Sequence, residues 1–248
     1  MGMLSDELVI LHARRSTGKT AITLQWIEHA YACGQIAPLR SIETQAARLV
    51  PRIIANLGQV NTFTMRTRGS ITSDEKQKAI RIADALDTMH LEIQDGGASI
   101  DDILTWGYSM ARKYEGGDRR LGAIFVDNML SISDGGKKFD SKPLMYDHFM
   151  RKFRDLRDHL KVPIIILAHP NAEGQVAWSK DTENFADIIL FLQDGKDAPD
   201  WVVEPSADEI LGKWVVALFQ KNRDGIMSVG NLDFIGSTQT FNHVGWGV

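Results

Sequence analysis

The chain has 248 residues, with 28 Lys+Arg against 32 Asp+Glu, a net charge of −4 and 44% apolar residues. At roughly 150 residues per domain this is one large domain or two small ones, of ordinary globular composition. There is no run of about 18 apolar residues, no basic-then-apolar leader, and a single cysteine, Cys33, which argue against a membrane span, a secretory signal and an intrachain disulfide. The reducing cytoplasm is the expected compartment, and the acidic balance argues on its face against a protein coated with nucleic acid.

Short apolar runs alternate with helical patterns. Leu8–Ala13 (LVILHA) reads as a buried strand, and Lys19–Cys33 as a helix stopped at Gly34. Leu39–Glu43 reads as a short strand, and Gln45–Leu57 as a helix carrying Pro51. Thr72 and Glu75 have capping-box spacing ahead of a helix to Met89, with Ile80, Ala83 and Leu86 as its apolar stripe. Leu91–Gln94 is a strand, and Ser99 with Asp102 caps a helix to about Tyr114. Leu121–Asp127 (LGAIFVD) is a buried strand, and Leu144–Leu160 an amphipathic helix with Phe149, Phe153 and Leu156 on one side. Pro163–Ala168 and Asp187–Leu192 are further apolar strands. Residues 193–212 read as a polar, acidic inserted loop, and Lys213–Gln220, Ser228–Phe234 and Thr238–Asn242 as strands joined by short turns. The expected architecture is α/β, a mostly parallel sheet flanked by helices, with antiparallel C-terminal strands on one edge. Residues 1–7 leave no room for a domain ahead of the first strand, so residues 1–248 are taken as a single domain.

Between the first strand and the first helix stands Ala13-Arg14-Arg15-Ser16-Thr17-Gly18-Lys19-Thr20. This fits the Walker A spacing GxxxxGK[ST] with alanine in the first glycine position. Such a loop wraps phosphate with backbone N–H groups and the positive end of a helix. Gly18 permits close approach, Lys19 reaches the β- and γ-phosphates, and Thr20 offers a hydroxyl to Mg²⁺. Asp127, ending an apolar strand, occupies the position of an acid that holds Mg²⁺. Glu43 also ends a strand. Strands beside the phosphate-loop strand point their C-terminal ends at the nucleotide crevice, where a carboxylate can deprotonate the attacking water. Glu43 alone fits a helix N-terminal acid equally well. His169 follows an apolar strand expected beside that of Asp127, where it can touch the γ-phosphate. Lys221 and Arg223 stand two apart before a glycine turn. They suit either a solvated hairpin or an arginine finger reaching a neighbouring subunit's nucleotide.

Taken in order, these segments resemble the motor domain of the DnaB-type replicative helicases, of the RecA-like superfamily, nearest to the Twinkle and phage primase–helicase branch. The likeness runs from Leu8 to about Phe241. ARRSTGKT resembles the family's phosphate loop, which also begins with alanine. SIETQAARLVPRI resembles the element carrying its catalytic glutamate, here Glu43. FVDNMLSI, LAHPNAEG and QKNRDG resemble its metal-acid, phosphate-sensing and trans-acting segments. The resemblance implies a ring, usually hexameric, with sites between subunits for ATP (or another NTP or dNTP) and Mg²⁺, and catalytic roles for Lys19, Glu43, His169, Lys221 and Arg223. It also implies translocation on single-stranded DNA, duplex unwinding in replication, and primase or other replication proteins as partners. DNA would be held by two channel loops. Residues 131–143 carry Lys137, Lys138 and Lys142 beside Gly135 and Gly136, and residues 171–183 carry Asn171, Gln175, Trp178 and Lys180. Lysines there bind phosphate without reading sequence, and Trp178 can stack on a base. No counterpart of the family's subunit-docking linker helix is seen. Two other readings share the motifs: a RadA- or RecA-like recombination ATPase, and a nucleotide-binding partner or regulator of a larger helicase that does not itself unwind.

Overall fold

A computed structural model of the chain describes residues 7–67, 69–170 and 184–247. The strands are β1 (Leu8–Ala13), β2 (Gln35–Ile36), β3 (Leu39–Ser41), β4 (Ile93–Asp95), β5 (Arg120–Leu121), β6 (Ile124–Asp127), β7 (Ile164–Ala168), β8 (Ile188–Asp194), β9 (Lys213–Asn222), β10 (Val229–Ile235) and β11 (Thr240–Gly247). The helices are α1 (Lys19–Ala32), α2 (Ala46–Gly58), α3 (Thr62–Arg66), α4 (Ser73–Thr88), α5 (Ile100–Lys113) and α6 (Lys142–Leu160). Among the described residues, nine strands form one sheet in the order β11-β10-β9-β8-β1-β7-β6-β3-β4. From β8 to β4 the pairs are parallel, and from β8 to β11 they are antiparallel. This is the expected architecture, with the meander on one edge.

Strand alternation divides the core. Leu8 and Ile10 of β1 face one side, among Ile103, Trp106, Phe149 and Phe153 of α5 and α6. Val9, Leu11 and Ala13 face the other, among Leu24, Ile27, Leu49 and Ile53 of α1 and α2. The predicted α6 side chains Phe149, Phe153 and Leu156 are fully or almost fully buried. Each contributes roughly 1.5–3 kcal/mol by leaving water. Both predicted capping boxes form: Thr72 with Glu75, and Ser99 with Asp102.

Several expectations need correction. The inward face of α4 is Ala79, Ile82 and Leu86, whereas Ile80 and Ala83 are exposed. The helix docks on α2 with Ile82 beside Gly58, and that edge contact rotates the buried stripe. The run Leu121–Asp127 breaks at Gly122, where the chain leaves β5, paired with β2, to enter β6 in the main sheet. The short helix α3, capped by the Asn61 side chain at the Phe63 N–H (2.8 Å), had no apolar periodicity to announce it. β8 runs on through Gln193 and Asp194, so the inserted segment starts at residue 195. It is more than a polar loop, because its Val202 packs with Val216 and Val229 in a small separate cluster.

One buried charge opposes the fold. Glu28 of α1 is 7% exposed, and its Oε1 is buried without a hydrogen-bond partner. Burial raises its pKa from 4.5 to about 8. Between those values the folded state holds the extra proton, so stability from this group is full below about pH 4.5 and is lost as pH rises toward 8. At about 1.4 kcal/mol per pH unit the loss at neutral pH is on the order of 3 kcal/mol. Glu28→Gln is therefore expected to raise Tm at pH 7.5 by roughly 5–10 °C and to change little at pH 4.5. Equal melting curves at both pH values would contradict this.

Candidate functional site

The parallel strands end together at one edge of the sheet, the position where open α/β sheets take ligands. β1 runs directly into the phosphate loop. Ala13 is its last residue and fully buried, while Arg14, Arg15 and Ser16 are exposed. Ser16 and Gly18 have φ of 63° and 96°, which folds the loop back onto the start of α1. Gly18 has no room for a side chain, since a Cβ there would lie 2.5 Å from the ring of Phe241. Phe241 is held in place by Gln25 of α1, which both donates to its carbonyl and accepts from its N–H at 2.9 Å. The meander edge thus braces the loop. Thr17 is buried, and Thr20 lies on the first turn of α1, whose N–H groups have no helical partner.

Lys19 is 8% exposed. Its ammonium donates to the Ala168 carbonyl at 3.1 Å and lies 3.8 Å from Asp127. Burial pulls its pKa down, against the pull of Asp127 and Glu43. Asp127 is 2% exposed, and burial holds its pKa above the usual carboxylate range despite the neighbouring Lys19. Its Oδ1 is buried without a hydrogen-bond partner. A carboxylate oxygen so placed, next to a hydroxyl-bearing helix start, fits a magnesium ion carried with nucleotide phosphates.

Glu43 lies two residues past β3, which is not beside the phosphate-loop strand. β6 and β7 stand between them. Glu43 nonetheless reaches the same edge, because the ladder continues past the strand: Ile42 and Glu43 both donate N–H to the Asp127 carbonyl, at 2.6 and 3.3 Å. His169, just past β7, donates from Nε2 to Glu43 Oε2 at 3.4 Å. Lys19, Asp127, Glu43 and His169 are therefore one constellation, assembled from α1 and three strand ends.

Two residues join it that sequence reasoning missed. Asn128 donates its amide N–H to Glu43 Oε2. Its only sequence signal is its place after the strand-ending acid. Arg52 of α2 is half-buried, and its charge is felt at Asp127, lowering that carboxyl's pKa, while burial and nearby Arg66 lower its own. It follows Glu43 in the same helical element, a relation that only the crossover from β3 makes meaningful.

Lys221 and Arg223 lie elsewhere. Lys221 donates to the Asn184 carbonyl at 3.4 Å, and Arg223, one residue past β9, donates to Asp187 Oδ1 at 2.7 Å. Asp187 also receives Arg157 and the Leu8 N–H. Leu8 begins β1 and the phosphate loop follows Ala13, so Arg223 sits about 16 Å of strand below its own loop. It is out of reach of its own γ-phosphate site.

The first DNA-loop candidates are only partly grouped. Ser133 pairs with Ser99 and Lys137 bonds Asp101 at 2.8 Å, tethering the segment to the start of α5. The Phe139 ring rests on His148 and Phe149. Lys138 is exposed, and Lys142 belongs to the first turn of α6 rather than to the loop. Asn171, Gln175, Trp178 and Lys180 lie outside the described residues. Acidic Asp197 of the inserted segment pairs with Arg14 of the phosphate loop at 3.2 Å, both half exposed, a contact worth little by itself.

Among the described residues no helix is long and apolar enough to cross a membrane. Residues 1–243 match the family of the DnaB-like helicase C terminal domain. Curated relatives include the replicative DNA helicase DnaC of Bacillus subtilis, 24% identical over 97% of this chain, and the replicative DNA helicase DnaB of Geobacillus stearothermophilus, 25% identical over 97%. The chain spans about half the length of each, 53%. Among solved structures, a RecA-like helicase ATPase domain superposes with a TM-score of 0.83 at 23% identity, covering 97% of this chain and 85% of that one. A DnaB-like replicative helicase, described with its interactions with primase, superposes at 0.81 and 22% identity, covering 96% of this chain and 57% of that one.

Proposed function

The chain belongs to the DnaB-like helicase C-terminal domain family, and on that footing we propose that it is an ATP-hydrolysing motor that moves along single-stranded DNA and unwinds duplex DNA during replication. The observation that carries this reading is the constellation at the strand ends. A buried lysine and a buried carboxylate with an unpaired oxygen lie beside a half-exposed glutamate that is itself held by an amide and an imidazole.

Residues 13–20 cradle the phosphates, Lys19 turns from the Ala168 carbonyl to the β- and γ-oxygens, and Thr20 with Asp127 holds the cation. Magnesium there neutralises charge developing on the phosphate oxygens. Glu43 takes the proton of the attacking water, and Asn128 and His169 orient its carboxylate. Once the γ-phosphate has left, His169 loses a partner and passes that loss to the segment behind it. Arg52 adds positive charge from α2. The distance between Arg223 and its own loop supports a trans role: Lys221 and Arg223 serve the nucleotide of a neighbouring copy in a ring, in place of Asp187 and the Asn184 carbonyl.

Lys137, Lys138 and Lys142, with Asn171, Trp178 and Lys180, are the proposed DNA contacts. Lys137 must exchange Asp101 for phosphate to take part. Further copies of the chain, primase and other replication proteins are the proposed partners, in the cytoplasm. The test is native mass measurement with an ATP analogue and Mg²⁺, with and without a single-stranded oligonucleotide, alongside ATPase assays. The expected result is a closed oligomer that retains the oligonucleotide, and hydrolysis that rises with single-stranded DNA. A monomer whose hydrolysis ignores DNA would sink the motor reading.

A further inference from the structure

One histidine sits inside an otherwise apolar strand. His12 of β1 is completely buried, on the Leu8–Ile10 side of the sheet. Its ring stacks on Phe191 of β8 at 4.5 Å and 17°. Its Nε2–H reaches past β8 to donate to Gln220 Oε1 of β9 at 2.7 Å, while Nδ1 is buried with no partner. Burial lowers its pKa to about 4. At neutral pH it is an uncharged ring whose single proton is committed to Gln220.

Gln220 occupies an unusual position. Leu190 pairs with Phe219 and Ile189 with Lys221, so Gln220 is the extra residue of a β-bulge, with nothing opposite it. A bulge re-aims side chains, and a one-residue slip reverses the face of every residue that follows. The residues that follow are Lys221, Asn222 and Arg223. The phase of the bulge therefore decides where both cations leave the sheet. Ladder bonds do not hold the extra residue, but the bond to His12 does. His12 in turn is the residue immediately before Ala13, the first of the phosphate loop.

We propose that His12 and Gln220 are positioning residues. Their hydrogen bond locks the bulge of β9 so that Lys221 and Arg223 are presented to the adjoining copy's nucleotide, and it joins that strand to the one ending in the chain's own phosphate loop. The proposal rests on the trans reading given above. Neither residue touches nucleotide, and both act through β9.

Mixed assemblies test it. A Glu43→Gln subunit has a spent site and intact cations, and an Arg223→Ala subunit has the reverse. Each alone is inactive, and their mixture, with co-assembly checked by native mass, recovers ATP hydrolysis. Gln220→Met keeps the side-chain size and removes the acceptor. Placed in the Glu43→Gln subunit, it is expected to lower the recovered rate by about 10²-fold, the scale of a catalytic group misplaced by an ångström. Placed in the Arg223→Ala subunit, whose cations are already spent, it leaves the recovery unchanged. Exchanging the pair (His12→Gln with Gln220→His) in the Glu43→Gln subunit restores it. If Gln220→Met does not fold, His12→Phe, which keeps the ring stack and removes the donor, carries the same comparison. Equal recovery in both placements, or equal loss in both, overturns the positioning role alone. No recovery in the parent mixture overturns the trans reading itself, and this proposal with it.

Discussion

Glu43→Gln is expected to slow ATP turnover by about 10²–10⁴-fold while leaving ATP bound. The substitution is nearly isosteric. The glutamine still meets the Asn128 amide and the His169 ring that hold the carboxylate, so the local geometry is retained. What disappears is the oxygen able to take a proton from water. Because Glu43 is half exposed, unlike the nearly buried Asp127, the change leaves no buried charge stranded. Single-turnover hydrolysis should therefore collapse while a fluorescent ATP analogue binds as before. Turnover within a factor of a few of the parent would remove Glu43 from the base role.

Lys19→Met should abolish both binding and hydrolysis. At a ligand concentration of 100 Kd, binding stabilises a fold by about 2.7 kcal/mol. For a domain of this size that is roughly 5–10 °C in Tm. The parent chain is expected to show this rise with ATP and Mg²⁺, and Lys19→Met to show none. The ammonium also offsets the desolvation of Asp127. Without it the Asp127 pKa climbs further, so a smaller fraction is ionised to hold the metal. Melting scans with and without nucleotide check this, and a full ATP-dependent rise in the variant would refute the phosphate-binding role of Lys19.

The sequence announced those parts of the site that are local. The phosphate loop is legible because strand, loop, glycine and helix follow one another within a dozen residues. Asp127 is legible because it ends a run of apolar residues. The capping boxes at Thr72 and Ser99 were readable for the same reason. What depends on chain crossovers was not. Nothing in the spacing of Arg52, Asn128 and Gln220 tells which strand end or which histidine each will face. Glu43 was assigned to the right edge of the sheet with a wrong neighbour, since strand order follows from how helices pack across the sheet. In α4, periodicity allowed two overlapping stripes, and the docking of Ile82 beside Gly58 chose between them.

The bond from Lys19 to the Ala168 carbonyl also bears on how the protein registers its fuel. A buried carbonyl keeps a partner. When the ammonium swings to phosphate, the main chain just ahead of His169 loses its donor and must find another. News of nucleotide arrival thus travels along the peptide backbone into the segment behind β7, whereas news of its hydrolysis travels through the imidazole. One strand end carries two messages, loading and firing, by two separate wires.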